Sequence, residues 1–187
     1  MEIHVVRHTP VNFDKKSCYG QLDVPLADSF EQDVEQIKGQ LADAYDKVYC
    51  SPLSRCKKLA TTLKLDEHDE DSRLLELDFG DWEGMKWNAI DQEILNTWMS
   101  DFVNIAPPNG ESLSQMHDRL SNFMSDLRKT NHQKVLLITH SGIIRCLWCY
   151  FLKFPLSNTF KFPVGFHEHH IFHLGEQAEY DSILKTK

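Results

Sequence analysis

The chain has little positive charge and no long apolar run. It carries 28 Asp and Glu residues against 20 Lys and Arg, which gives a formal net charge of -8. Surfaces that bind nucleic acid need clustered Lys and Arg, so this balance argues against a nucleic-acid partner. No stretch approaches the roughly 18 consecutive apolar residues of a membrane span. We therefore expect neither a nucleic-acid partner nor a membrane.

Cysteines are few and irregularly placed. There are five, at positions 18, 50, 56, 146 and 149, an odd number without the spacing of a disulfide framework. Such usage is typical of reduced thiols in a cytoplasm. The first residues also lack the basic and apolar segments of a signal peptide. The CxxC pair at 146 and 149 lies inside a helical pattern and is interpreted as core thiols. We expect a cytoplasmic protein.

The sequence does contain a regular alternation of strand and helix patterns. Its 187 residues, 41% of them hydrophobic, suit one globular domain over residues 1–187. Apolar runs predict strands at residues 2–7, 46–50 and 135–139, with one or two edge strands within 164–174. Helical spacing predicts helices at residues 30–41, 53–63, 87–102, 113–127 and 143–151. The alternation predicts an α/β fold with right-handed crossovers.

Two polar segments are interpreted as solvent-exposed. Residues 66–71 are acidic and are predicted to form a loop. Residues 167–170, with the sequence His-Glu-His-His, are rich in a common metal ligand. However, they alternate within a predicted edge strand, and no carboxylate partner for a histidine is evident. The sequence therefore favours solvated histidines here and predicts no metal site.

Two histidines each follow a buried strand. His8 comes after the first strand, beside Arg7, and His140 comes after the strand at 135–139. Arg55 follows the strand at 46–50. Functional residues of open α/β folds lie at the carboxyl ends of the strands. We therefore expect these side chains to meet in one crevice and to bind an anion.

This combination of residues suits phosphoryl transfer. Arginine keeps its charge and matches the oxygens of a phosphate, and backbone N–H groups near Ser141 and Gly142 would add donors at a helix N-terminus. A neutral imidazole can attack phosphorus, and nearby arginines lower its pKa and so favour the neutral form. His8, beside Arg7, fits the nucleophile, whereas His140 would stabilise the transferring group.

The reaction also needs a carboxylic acid. It would protonate the leaving alkoxide and later activate water, and one group can do both. The segment at residues 74–84 offers four candidates, which are Glu76, Asp78, Asp81 and Glu83. Periodicity does not choose among them.

Five motifs, in this order along the chain, resemble the histidine phosphatase superfamily, in its phosphoglycerate-mutase-like branch. They are Arg7-His8-Thr9, the SPLSR segment at 51–55, the ELDFGDWEG segment at 76–84, Gly110-Glu111-Ser112 and Thr139-His140-Ser141-Gly142. The resemblance implies a three-layer α/β/α sandwich with a mostly parallel sheet. It also implies a small phosphate ester as substrate, with no metal and no organic cofactor.

The resemblance assigns roles to individual residues. It implies that His8 is phosphorylated, that Arg7, Arg55 and His140 hold the phosphate, and that Glu76 is the proton donor. The chain departs from the family at Thr9, where Gly is usual, so we expect an altered approach to the phosphate.

A second departure lies in the loop after the first strand. Asp14 stands where the family's mutases often carry Asn. A carboxylate there would repel an anionic substrate, so we expect Asn12 or another loop residue to make the contact instead.

Two further features bear on the reaction and the substrate. Leu77 and Asp78 follow Glu76, whereas mutases resemble Glu-Arg-His-Tyr-Gly in this segment. The chain is also shorter than the mutases. Both differences favour hydrolysis over mutase activity. The segment at 18–26 resembles a loop of α-ribazole phosphatases, which implies α-ribazole 5′-phosphate as substrate and Tyr19 and Gln21 as contacts. The alternatives are a broad small-molecule or sugar phosphatase, a phosphoglycerate mutase, a protein phosphohistidine phosphatase and a non-catalytic module that binds a phospho-ligand.

Overall fold

The computed structural model describes residues 1–65 and 67–186. Its strands are β1 (Glu2–Arg7), β2 (Lys47–Cys50), β3 (His68–Glu70), β4 (Lys134–Thr139), β5 (His169–His173) and β6 (Ser182–Thr186). Its helices are α1 (Phe30–Lys38), α2 (Ser54–Thr62), α3 (Gln92–Ser100), α4 (Leu113–Arg128) and α5 (Ser141–Leu152). Short 3₁₀ turns cover Ser72–Leu74, Gly80–Trp82, Trp87–Ala89, Leu156–Lys161 and Ala178–Tyr180.

The strands form one sheet in the order β3-β2-β4-β1-β5-β6. Strands β3, β2, β4 and β1 run parallel, and β5 is antiparallel to both β1 and β6. In register, Ile138 of β4 lies between Val6 of β1 and Cys50 of β2. The carboxyl ends of these three strands therefore meet at one edge of the sheet, as the sequence predicts.

Helices cover both faces of the sheet, which explains the continuous apolar runs of the central strands. On β4, Val135 and Leu137 pack in a cluster with α4 and α5, whereas Leu136 and Ile138 pack with α1 and α2. Each such side chain, when fully buried, contributes about 1.5–3 kcal/mol of transfer free energy. The α/β/α sandwich with a mostly parallel sheet is confirmed.

Two predicted elements differ from the structure. The predicted helix at 87–102 is a 3₁₀ turn at Trp87–Ala89 followed by α3, because Asp91 lies outside the helical region and caps the backbone N–H groups of Glu93 and Ile94. Three of the six residues in the predicted loop at 66–71 form strand β3, which pairs with β2. Asp66 lies outside the described residues.

The interpretation of residues 167–170 as solvated histidines is wrong. Strand β6 covers the outer side of β5, so β5 is an interior strand rather than an edge. His169 and His170 are only 4% and 3% exposed. His167 Nε2 lies 2.7 Å from a carboxylate oxygen of Asp33.

All five cysteines are buried and free. Among the helices of the described residues, none is long and apolar enough to cross a membrane.

Candidate active site

A cavity of about 240 Å³ opens at the carboxyl edge of the parallel strands. It gathers residues from the strand ends, from the start of α2 and α5 and from the loops around them. The lining residues are Arg7, His8, Tyr19, Arg55, Glu76, Leu77, Phe79, Leu113, Met116, Ser141, Gly142, Arg145, Thr159 and Phe160.

His8 is 2% exposed and directly follows β1. Its Nδ1 donates a hydrogen bond to the Thr9 carbonyl at 2.7 Å, since a carbonyl can only accept. The neutral ring therefore carries its lone pair on Nε2. Burial lowers the pKa of His8 well below its ordinary value, and the charges of Arg55 and Arg7 lower it further. The ring stays neutral near neutral pH.

His140 lies beside His8 at the start of α5, with 5.1 Å between the ring centres. It is fully buried, and its Nε2 is 2.7 Å from the Ser51 hydroxyl. Its Nδ1 has no hydrogen-bond partner among the described residues. Burial, followed by the neighbouring His8 and the site arginines, lowers the pKa of His140 well below its ordinary value.

Arg7 and Arg55 bring positive charge without a carboxylate partner in ion-pair distance among the described residues. Arg55 is 0% exposed and donates to the carbonyls of Gly20 and Leu22. Arg7 donates to the Val164 carbonyl, and burial lowers its pKa. A buried cation is costly unless an anion balances it.

Several buried polar atoms around His8 lack a hydrogen-bond partner within the described part of the chain. They are Arg7 Nε, Arg55 Nε, His140 Nδ1 and Thr9 Oγ1. Buried polar groups nearly always have partners, so such a group of atoms needs an explanation. Two guanidinium groups and a ring nitrogen, free to donate, suit a tetrahedral anion with several oxygens.

Glu76 is held at the N-terminus of α5. Its Oε2 accepts hydrogen bonds from Gly142 N at 3.1 Å and from the Ser141 hydroxyl at 3.3 Å. A Cβ atom at position 142 would meet Glu76 Oε1 at 2.1 Å, so only glycine allows this approach. Ser141 and Gly142, predicted as phosphate donors, thus contact Glu76.

The other three acidic candidates do not line the cavity. Asp78 accepts from Gly80 N, Asp81 accepts from the Asn109 side chain, and Glu83 accepts from backbone N–H groups. Among the described residues Glu76 alone brings a carboxylate to the cavity wall.

Of the three residues predicted to contact the substrate, one lines the cavity and two do not. Tyr19 lines the cavity, and its ring centre is 5.8 Å from the guanidinium carbon of Arg55. Gln21 donates from Nε2 to the Glu76 carbonyl at 3.0 Å. Asn12 is exposed and lies outside the cavity lining, with its backbone N–H bonded to the Pro25 carbonyl.

Sequence reasoning missed several lining residues, above all Arg145 and Phe160. Arg145 follows Ser141 by four residues on α5, and this i,i+4 spacing puts both on one helix face. The sequence therefore contains a signal that Arg145 lies on the same side of α5 as Ser141. Phe160, which is 67% exposed, lies in a 3₁₀ turn that no periodicity predicts.

Comparison with known proteins agrees with this geometry. The histidine phosphatase superfamily (branch 1) matches residues 3–183. The chain belongs to the histidine phosphatase superfamily. This histidine phosphatase is 28% identical over 174 residues to the adenosylcobalamin/alpha-ribazole phosphatase of Salmonella typhimurium, covering 88% of this chain and 86% of that protein.

Two further similarities extend over nearly the whole chain. Phosphoserine phosphatase 1 of Hydrogenobacter thermophilus is 26% identical over an alignment of 195 positions, which covers 99% of this chain and 91% of that protein. The crystal structure of the alpha-ribazole phosphatase from Shigella flexneri has a TM-score of 0.89 at 22% identity, covering 98% of this chain and 95% of that one. The last similarity shows that the fold is shared.

Proposed function

We propose that this histidine phosphatase hydrolyses phosphate monoesters through a phosphohistidine at His8, without a metal ion. The observation that carries the proposal is the fixed tautomer of His8 beside two arginines that have no carboxylate partner among the described residues. Neutral imidazole supplies the nucleophile, and the guanidinium groups supply the positive charge that the phosphate requires.

In the first step, the lone pair of His8 Nε2 attacks the phosphorus atom. A nitrogen–phosphorus bond forms as the bond from phosphorus to the ester oxygen breaks. The leaving alkoxide takes the proton of the Glu76 carboxylic acid. Arg7, Arg55 and His140 Nδ1–H bind the other phosphate oxygens and stabilise the charge that develops on them.

In the second step, the Glu76 carboxylate accepts a proton from water. The water oxygen attacks phosphorus, the bond to His8 breaks, and inorganic phosphate leaves. Glu76 is protonated again and ready for the next ester, so one carboxyl group acts in both directions. Its hydrogen bonds to Gly142 and Ser141 support this double role, because they fix its position at the cavity wall.

For the substrate, we propose α-ribazole 5′-phosphate as the first candidate. Support comes from the loop at 18–26 and from the Salmonella typhimurium relative, whose name includes that activity. The rings of Tyr19 and Phe79 line the cavity and offer faces on which a flat base can stack.

A phosphorylated hydroxy or amino acid is a second candidate, because Arg145 also lines the cavity. Its Nε donates to the Phe162 carbonyl, and within the described part of the chain no carboxylate lies in ion-pair distance of it. A substrate carboxylate would meet it there. The phosphoserine phosphatase relative supports this alternative.

The test measures phosphate release from α-ribazole 5′-phosphate, phosphoserine and simple sugar phosphates, with a chelator present, for wild type and His8→Ala. Release that persists with chelator and vanishes in His8→Ala is expected. Release that stops with chelator, or continues in His8→Ala, would contradict the mechanism. Binding of esters without release from any of them would favour a non-catalytic module.

The substrate panel separates the two candidates. An Arg145→Met variant should lose activity on phosphoserine while keeping activity on α-ribazole 5′-phosphate, because only the former carries a carboxylate. Equal loss on both esters would show that Arg145 does not distinguish them.

We also propose that residues 1–187 form one domain that works in the cytoplasm. Strands from both ends of the chain lie in one sheet, and the buried free thiols suit a reducing compartment.

A further inference from the structure

Glu83 lies outside the cavity lining but has a rich set of hydrogen bonds. Its carboxylate accepts backbone N–H groups from three consecutive residues, Gly20 at 2.9 Å, Gln21 at 2.8 Å and Leu22 at 3.1 Å. It also accepts from Phe79 N at 3.1 Å. We call residues 20–22 the Arg55 loop, because two of their carbonyl groups accept hydrogen bonds from Arg55.

The opposite side of the Arg55 loop binds a cation. The carbonyl groups of Gly20 and Leu22 accept the two Nη groups of Arg55. The loop thus turns its N–H groups toward a carboxylate and its carbonyl groups toward a guanidinium. Such an arrangement aligns the peptide dipoles between two opposite charges, and hydrogen bonds in series strengthen one another.

The Arg55 loop also contacts the segment that carries Glu76. A Cβ atom on Gly20 would meet the Leu77 carbonyl oxygen at 1.8 Å, so the loop lies directly against the residue after Glu76. Gln21 Nε2 donates to the Glu76 carbonyl. One short loop therefore connects Glu83 to both Arg55 and Glu76.

We propose that Glu83 is a positioning residue that fixes the Arg55 loop and, through it, the guanidinium of Arg55. This inference rests on the proposed role of Arg55 in phosphate binding. Arg55 is fully buried without a carboxylate partner among the described residues, so the loop carbonyl groups are what orient it. Removing the Glu83 charge releases the loop and lets the guanidinium turn away from the phosphate position.

The experiment compares Glu83→Gln with Asp81→Asn. Asp81 is an exposed carboxylate two residues away that accepts a hydrogen bond from Asn109, and among the described residues it accepts none from the Arg55 loop. Steady-state kinetics on a simple phosphate ester, the inhibition constant of inorganic phosphate and the melting temperature are measured for each variant. We expect KM and the inhibition constant to rise about tenfold in Glu83→Gln and to stay at wild-type values in Asp81→Asn.

These readouts separate positioning from a merely structural role. A variant that only unfolds more easily has a lower melting temperature and less active protein, but its remaining molecules bind phosphate normally. Glu83→Asp keeps the charge and should recover part of the phosphate affinity lost in Glu83→Gln. If Glu83→Gln does not fold, Glu83→Asp provides the comparison, with a smaller rise in the inhibition constant expected.

Coupling to Arg55 is tested in an Arg55→Lys background. If Glu83 acts through Arg55, adding Glu83→Gln to that variant should change the inhibition constant less than about twofold. Fully additive losses would overturn the inference. So would wild-type inhibition constants in both Glu83→Gln and Glu83→Asp when Arg55→Lys itself weakens phosphate binding. In that last case the proposed function stands, because it requires Arg55 and not Glu83.

Discussion

Two pairs of buried histidines lie close together in this molecule. One of them, His8 with His140, includes a residue that lines the cavity, His8, and we call it the cavity pair. The ring centres of His8 and His140 are 5.1 Å apart, and those of His4 and His169 are 4.9 Å apart. All four side chains are 5% exposed or less. Burial and ring spacing therefore do not distinguish a candidate catalytic pair from a structural one.

The difference lies in the hydrogen bonds of the ring nitrogens. In the sheet pair, His4 Nδ1 is 2.9 Å from His169 Nε2 and 3.2 Å from the Tyr45 hydroxyl, and His4 Nε2 is 3.3 Å from a Glu2 carboxylate oxygen. Both nitrogens of His4 thus have partners within the protein.

In the cavity pair, each ring is held through one nitrogen, by the Thr9 carbonyl for His8 and by the Ser51 hydroxyl for His140. The other nitrogen of His140 has no partner within the described residues. The Nδ1 of His140, free to donate beside the lining residue His8, therefore distinguishes the cavity pair from the sheet pair, in which both nitrogens of His4 have partners.

The largest expected effect comes from removing the proposed nucleophile. His8→Asn should abolish the acid-labile phosphohistidine and lower kcat by about a thousandfold or more. His4→Asn, on strand β1 just before His8, should leave the phosphohistidine and kcat as in wild type. Rapid quenching with a ³²P-labelled ester, followed by detection of labelled protein, measures this. Labelled protein in His8→Asn would place the nucleophile elsewhere.

Removing a neighbouring charge should shift the pH profile. Burial, Arg55 and Arg7 hold the pKa of His8 below its ordinary value, and attack requires the neutral ring. Arg55→Met removes one positive charge, so the pKa of His8 rises and the acid limb of kcat/KM moves to higher pH. We also expect kcat/KM to fall about a hundredfold, since phosphate loses a charged donor. An unchanged acid limb, measured by rates between pH 4.5 and 8, would contradict this assignment of the cause.

A hydroxyl group contacts one ring of each pair, which allows a matched comparison. Ser51→Ala removes the partner that fixes His140 with Nδ1 free to donate, and should lower kcat/KM about tenfold. Tyr45→Phe removes the hydroxyl beside His4 and should leave kinetics unchanged while lowering the free energy of unfolding by about 1 kcal/mol. Equal kinetic losses in the two variants would remove the distinction between the pairs.

The smallest effect is a pH dependence of stability. Burial lowers the pKa of His4 in the folded state, so the unfolded chain binds a proton below about pH 6.5 where the folded chain does not. Stability is therefore full above that pH and falls as the pH decreases, as it also does for the cavity pair.

Urea unfolding of wild type and His4→Gln, carried out between about pH 7.5 and pH 5, measures this contribution. His4→Gln should reduce the slope of stability against pH by up to about 1.4 kcal/mol per pH unit. An identical slope in the two proteins would show that His4 does not contribute to it.

The cavity pair could be predicted from the sequence because each of its histidines follows directly on an apolar strand. An apolar strand followed by His8 or His140 shows where the strand ends, and parallel strands bring such ends together. The pair with His169 could not be predicted in this way. Its burial depends on β6 pairing with β5, a contact that no pattern within β5 reveals.

The same limit explains the other differences. Strand β3 forms because acidic residues pair their backbone with β2, although their side chains suggest a loop. Arg145 and Phe160 reach the cavity through the packing of α5 and of a 3₁₀ turn beside it. The charged end of the cavity thus follows from strand ends, whereas its rim depends on tertiary contacts.

The close approach of Gly142 to Glu76 has a consequence for engineering. A side chain at 142 would meet Oε1 at the end of the Glu76 side chain, so we expect a substitution there to displace the carboxylate from the N-terminus of α5 and to lower activity rather than to prevent folding. Phe160 and Tyr19 line the same cavity with their aromatic rings, and Phe160 is largely exposed. A directed-evolution library aimed at new esters should therefore randomise those two positions and keep codon 142 as glycine.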